Sequence, residues 1–139
     1  MSEPKIIVTR LSDSATTNLG GSTSYEGYVV YEADANEVRL LTSASSSTRA
    51  PLGIIYRPSN AIGGDVSVCV DGICMGVAGT SMVIGTANPW LQPDSSGKLV
   101  PYTGTLGATT NWIVGRSLAQ SDVVINEQFP VLVHLIPRV

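Results

Sequence analysis

Charge is what this sequence has least of. Only 14% of its 139 residues are charged, against roughly 25% in an average soluble domain. It has one histidine, one phenylalanine and two cysteines. The basic residues (Lys5, Arg10, Arg39, Arg49, Arg57, Lys98, Arg116 and Arg138) form no run, and the net charge is −3. Nucleic-acid binding needs several cations facing phosphates together, so it is disfavoured. Low charge alongside 43% apolar residues argues against intrinsic disorder. No apolar run approaches the roughly 20 residues of a membrane span, and no membrane partner is expected. Residues 1–12 (MSEPKIIVTRLS) lack the apolar stretch and cleavage pattern of a signal peptide, so the start reads as cytosolic. Helical periodicity is nearly missing as well.

Neutral hydroxyls and β-branched residues fill the space. Serine and threonine together number 28. The charges that exist are unevenly placed: residues 72–93 have none, and residues 72–115 have only Asp94 and Lys98. A neutral surface on a domain invites association unless something covers it. Short β-prone runs bounded by Gly, Pro, Asn, Asp and Ser predict strands at 4–11, 26–33, 37–42, 52–57, 65–70, 73–78, 98–102, 111–119 and 130–136. The length suits one domain. The fold class expected is all-β, a small single-domain β-barrel or β-sandwich with long Ser/Thr/Gly-rich loops. Residues 1–24 read either as an N-terminal arm with a flexible linker or as a first strand, and residues 25–139 as the β-domain. The tract 43–48 reads as a further flexible loop.

Asp71-Gly72 has the composition of a type I′ hairpin turn. Folded that way, Val70 faces Ile73 and Cys69 faces Cys74. Alternation then sends Val66, Val68, Val70, Ile73, Met75 and Val77 to the core. Ser67, Cys69, Cys74 and Gly76 occupy the other face, where small side chains let another layer or another chain come close. A second turn is expected at Asp94-Ser-Ser-Gly97.

Residues able to carry chemistry are few. His134 alternates with apolar neighbours in a strand and has no recognisable nucleophile or orienting partner. A zinc site would need more ligands than Cys69, Cys74 and one histidine supply. A cross-strand disulfide is conceivable, but cytosolic synthesis points to free, packed thiols. Glu32-Ala-Asp34-Ala-Asn36 lacks the glycine and distal glutamate of a calcium loop and reads as a turn. No catalytic residue, metal ligand or cofactor site is assigned. Among the aromatics, Trp90 is the one expected to be exposed, as a carbohydrate-binding surface would require.

The order of short motifs carries a resemblance. Glu26-Gly-Tyr-Val-Val30, Ala50-Pro-Leu-Gly-Ile-Ile55 and Gly64-Asp-Val-Ser-Val-Cys-Val-Asp-Gly72 are followed by three more. These are Gln92-Pro-Asp-Ser-Ser-Gly-Lys-Leu-Val100, Trp112-Ile-Val-Gly-Arg-Ser-Leu-Ala119 and Val131-Leu-Val-His-Leu135. Over residues 25–136 this resembles the capsid decoration (cement) proteins of tailed bacteriophages. Ser117 and Ile55 stand where that family usually has alanine, and the strand opening at Glu26 also departs from its pattern.

The resemblance implies a non-enzymatic protein made in the host cytoplasm and carried on the capsid's outer surface. There it would bind the major capsid protein at joints between subunits, as a homotrimer or a dimer, and hold the shell against internal DNA pressure. Relatives often reach onto the capsid with the N-terminus, which makes Lys5, Ile6, Ile7, Val8 and Arg10 candidate capsid contacts by strand addition. Within the uncharged stretch, Met82, Ile84, Trp90, Leu91 and Tyr102 are the candidate interface side chains. The alternative function is a head-fibre or receptor- or carbohydrate-binding β-domain.

Overall fold

The computed structural model describes residues 5–12, 25–42, 49–58, 64–103 and 112–136. The Ser/Thr-rich loop expected at 43–48 and, Ser12 apart, the one expected at 12–24 lie outside these. The described residues form no helix and nine strands. They are β1 (Ile6–Ser12), β2 (Val29–Asp34), β3 (Glu37–Leu40), β4 (Gly53–Arg57), β5 (Asp65–Val77), β6 (Trp90–Pro93), β7 (Leu99–Pro101), β8 (Ile113–Ser117) and β9 (Gln128–Ile136).

The first five strands close on themselves in the order β1-β3-β2-β4-β5, with β5 returning to β1. Every junction is antiparallel except β1–β3, which is parallel and short, pairing Leu11 with Glu37 and Ser12 with Val38. The second sheet runs β5-β9-β8-β6-β7. Its far edge curls back to the end of β5, where Ala78 bridges Leu99 and the Gly79 N–H donates to the Leu99 carbonyl at 2.8 Å. The all-β expectation therefore holds, as a closed five-stranded barrel joined to a second curled sheet.

Both sheets share β5, and this corrects the hairpin expected at Asp71-Gly72. The strand does not fold back on itself. Residues 65–71 pair with β1 while residues 72–77 pair with β9. The turn residues still turn the chain. Five steps of extended strand would span about 16 Å, yet the Cα atoms of Cys69 and Cys74 are 6.8 Å apart. Gly72 takes φ +103°, a region open to glycine, and its N–H donates to Asp71 Oδ1 at 2.9 Å. Asp-Gly makes a corner between two sheets instead of a reversal within one.

Two further corrections follow from the corner. It shifts the alternation by one residue, so Cys74 and Gly76 are buried while Met75, expected in the core, is exposed; Val77 is buried, as expected. Cys69 and Cys74, expected as free thiols, are joined in a disulfide. Both sulfurs are buried. The corner brings them together although they belong to different sheets.

Side chains on the two faces of the barrel strands build two cores. Val30, Val38, Ile55, Val66 and Val68 fill the barrel interior, with Val8 packed against them. Val29, Ile54 and Cys69 point outward from the same strands and pack with Leu91, Leu99, Val114, Phe129, Val131 and Val133 of the second sheet. Doublets such as Val29-Val30 and Ile54-Ile55 are the sequence form of strands covered on both faces. The small residues of β5 do admit a close layer, and it comes from this chain. A Cβ at Gly76 would run into Leu99 Cδ1 and come within 3.0 Å of Val131 Cγ2.

The hairpin turns are as expected. At Asp94-Ser-Ser-Gly97, Asp94 Oδ1 accepts the Ser96 and Lys98 N–H groups at 2.7 and 2.9 Å. Residues 34–37 turn between β2 and β3, with Asn36 at φ 62°. β6 was not expected as a strand. It pairs with both β7 and β8 despite its proline.

Non-reduced intact protein should weigh two hydrogen masses less than reduced protein. Replacing both cysteines with alanine should cost about 2 kcal/mol in urea unfolding, the loop-entropy value for so short a loop. Identical masses would contradict the bonded corner.

Candidate functional site

The exposed surface is least ordinary where two loops of the second body meet. One follows β5 and the other links β8 to β9. Met82 and Val123 form an antiparallel bridge, exchanging N–H···O bonds of 2.8 and 2.9 Å, and both side chains point inward. The loops then cap each other reciprocally. Asp122 Oδ1 accepts the Ile84 N–H at 2.9 Å, and Ser81 Oγ accepts the Ile125 N–H at 3.2 Å. Glu127 Oε2 takes the Val124 N–H at 2.7 Å. The turn is tightened by Ala87 N–H to the Val83 carbonyl at 3.0 Å.

With the backbone satisfied, four aliphatic side chains are left facing water. Val83 is 52% exposed, Ile84 48%, Val124 58% and Ile125 50%. Single exposed aliphatics are ordinary, but a cluster held by paired loops is the candidate interaction surface. Beside this tip lies a groove of about 330 Å³ between the 82–89 loop and the end of β8. Arg116 borders it. Arg116 is the cross-strand partner of Trp90, and its guanidinium lies 5.6 Å from the centre of the Trp90 ring.

The sequence candidates are scattered by the fold. Leu91, Met82 and Tyr102 are buried within the chain's own core, leaving Ile84 and Trp90 able to meet another molecule. Ile84 is in the tip, and Trp90, half-buried under Arg116, adjoins the groove. Lys5, Ile6, Ile7, Val8 and Arg10 belong to or border β1, which pairs with β5 along its length and closes the barrel. Its other edge meets β3 only at Leu11 and Ser12. Arg10 pairs with Glu32 at 3.0 Å and donates to the Thr9 carbonyl at 2.9 Å. Lys5 lies 4.9 Å from the centre of the Tyr56 ring, a cation–π contact. His134 is exposed on β9. Among the described residues, no three His, Cys, Asp or Glu side chains come together as a metal site.

No family model matches the chain, and no curated protein matches it in sequence. Among solved structures, it is similar to the head fiber gp8.5 N base of bacteriophage phi29. The match has a TM-score of 0.58 at 13% identity and covers 94% of this chain and 95% of that one. The likeness is one of fold, and it takes in both the barrel and the second sheet.

Sequence reading missed Val83, Val124 and Ile125. The tip's signal is a near-repeat. Ser81-Met-Val-Ile84 and Asp122-Val-Val-Ile125 each place a capping residue, an inward apolar residue and two outward ones before Gly or Asn. Either segment alone passes for a short core strand.

Replacing Ile84 and Ile125 with serine should change stability by no more than about 0.5 kcal/mol, as at other solvent-facing positions. Asp122→Ala should instead speed amide exchange at Ile84 and lower stability by about 1 kcal/mol. A large loss in the serine variant would mean that the tip is core and not surface.

Proposed function

We propose that this chain is a structural protein of a bacteriophage head, attached to the outer surface of the assembled shell through the aliphatic tip of its second body. The observation that carries the reading is the backbone likeness, over nearly the whole chain, to a protein described as the base of a head fibre. The order of sequence motifs points the same way, since it resembles head decoration proteins. The structural likeness and the motif resemblance both support a phage-head reading.

The decoration reading goes further. On it, the protein binds the major capsid protein at joints between subunits, as a trimer, and reinforces the shell. The physics suits that task. A shell repeats each joint many times, so a multivalent cap needs only modest affinity per contact. An uncharged aliphatic tip loses little solvation on docking, and charged residues are depleted at interface centres. The head-fibre base is the second reading, favoured by the named neighbour. Both readings are non-catalytic.

Purified protein mixed with matching expanded heads that lack it should bind to saturation and sediment with them. Replacing Val83, Ile84, Val124 and Ile125 together with serine should weaken binding at least about tenfold. No binding to expanded heads would overturn the head-surface reading. Decorated heads that lose DNA on heating as readily as bare ones would reject cementing in favour of the fibre base.

A further inference from the structure

We propose that the groove beside the tip holds a segment of a partner chain that presents an aliphatic side chain next to a carboxylate. The groove's volume, about 330 Å³, is at the small end of the range for ligand sites. Its walls are aliphatic, from Val83, Ile84 and Ala87 on one side to Ala119 on the other. One charged side chain, Arg116, lines it.

The polar groups of the groove select the ligand by elimination. Asn88 is engaged at both its polar atoms, donating to the Tyr102 carbonyl at 3.1 Å and accepting the Trp90 N–H at 3.1 Å. Ser117 Oγ accepts the Ala119 N–H at 3.3 Å, which leaves its hydroxyl hydrogen to give. Arg116 makes a cation–π contact with Trp90, and among the described residues no carboxylate lies within 4.0 Å of it. The carboxylates of Asp122 and Glu127, which cap the tip, are not among the residues that line the groove. The groove therefore offers donors and one positive charge, and it calls for a negatively charged acceptor. A guanidinium with no carboxylate partner of its own can bind a carboxylate at two points. The aliphatic walls call for an apolar side chain on the same segment. The ligand class rests on this lining alone. Taking a shell subunit as the partner that supplies the segment rests on the head-surface reading.

The test is a titration of isotopically labelled full-length protein, without heads, followed by nuclear magnetic resonance. The probes are capped pentapeptides with leucine beside aspartate, leucine beside asparagine, or alanine beside aspartate. The leucine–aspartate peptide should move the amide signals of Gly85, Ala87, Ser117 and Ala119. The other two should bind about tenfold more weakly. Arg116→Gln should erase the preference for aspartate over asparagine, while Arg116→Lys, which keeps the charge, should retain part of it. Equal binding of the aspartate and asparagine peptides, or shifts confined to another surface, would overturn the proposal. So would octanoate binding more tightly than any peptide, which would make the groove a site for small carboxylates. Because no head is present, failure here leaves the head-attachment reading standing, and failure to bind heads leaves this one standing.

Discussion

The corner at Asp71-Gly72 is the constraint on which the rest of the structure depends. A strand that belongs to two sheets must leave one ladder and enter another without abandoning buried backbone groups. Gly72 supplies the conformation, the Asp71 carboxylate supplies an acceptor, and β1 and β9 take up the two halves. Once the strand bends, the outer face of the barrel lies against the inner face of the second sheet. Val29, Ile54 and Cys69 then meet Phe129, Val131 and Val133. The disulfide spans this bend, and Gly76 lets Leu99 and Val131 close over it. Without the corner there would be a small barrel with an exposed apolar flank and a curled sheet with nothing to curl against.

The same division sorts the charges. Arg10, Glu32, Asp34, Glu37, Arg39, Arg49 and Arg57 all lie on or beside the barrel strands. In the second body, the Asp, Glu, Lys and Arg residues among those described are Asp94, Lys98, Arg116, Asp122 and Glu127. Most of these are tied to local structure: Asp94 organises a turn, Asp122 and Glu127 cap the tip, and Lys98 bonds Asn126. The scarcity of charge is therefore a property of one body, whose surface presents Met75, Leu132 and the tip aliphatics to solvent. On the proposed reading, the charged barrel faces water and the neutral body faces the shell.

Much of this was legible in the sequence. The β-branched runs and the Asp94 turn follow from side-chain period and turn chemistry. The corner was not legible. Asp-Gly between two apolar runs looks the same whether the runs pair with each other or with third strands, and only the partners β1 and β9 decide between the two. That single ambiguity reversed the expected faces of Met75 and Cys74. β6 was hidden by Pro93 in so short a segment. Of the interface candidates, Met82, Leu91 and Tyr102 are core. In a chain with so few charges, apolar character alone does not distinguish a buried strand from a sticky loop. The pairing of the loops at Met82 and Val123 makes that distinction, and it is a long-range fact.

The most direct test of the account is hydrogen–deuterium exchange of the protein free and bound to expanded heads. The account predicts that protection on binding is gained in residues 79–89 and 118–127, while the barrel strands β2, β3 and β4 exchange as they do in the free protein. Protection confined to the barrel strands, with the tip still exchanging freely, would contradict it.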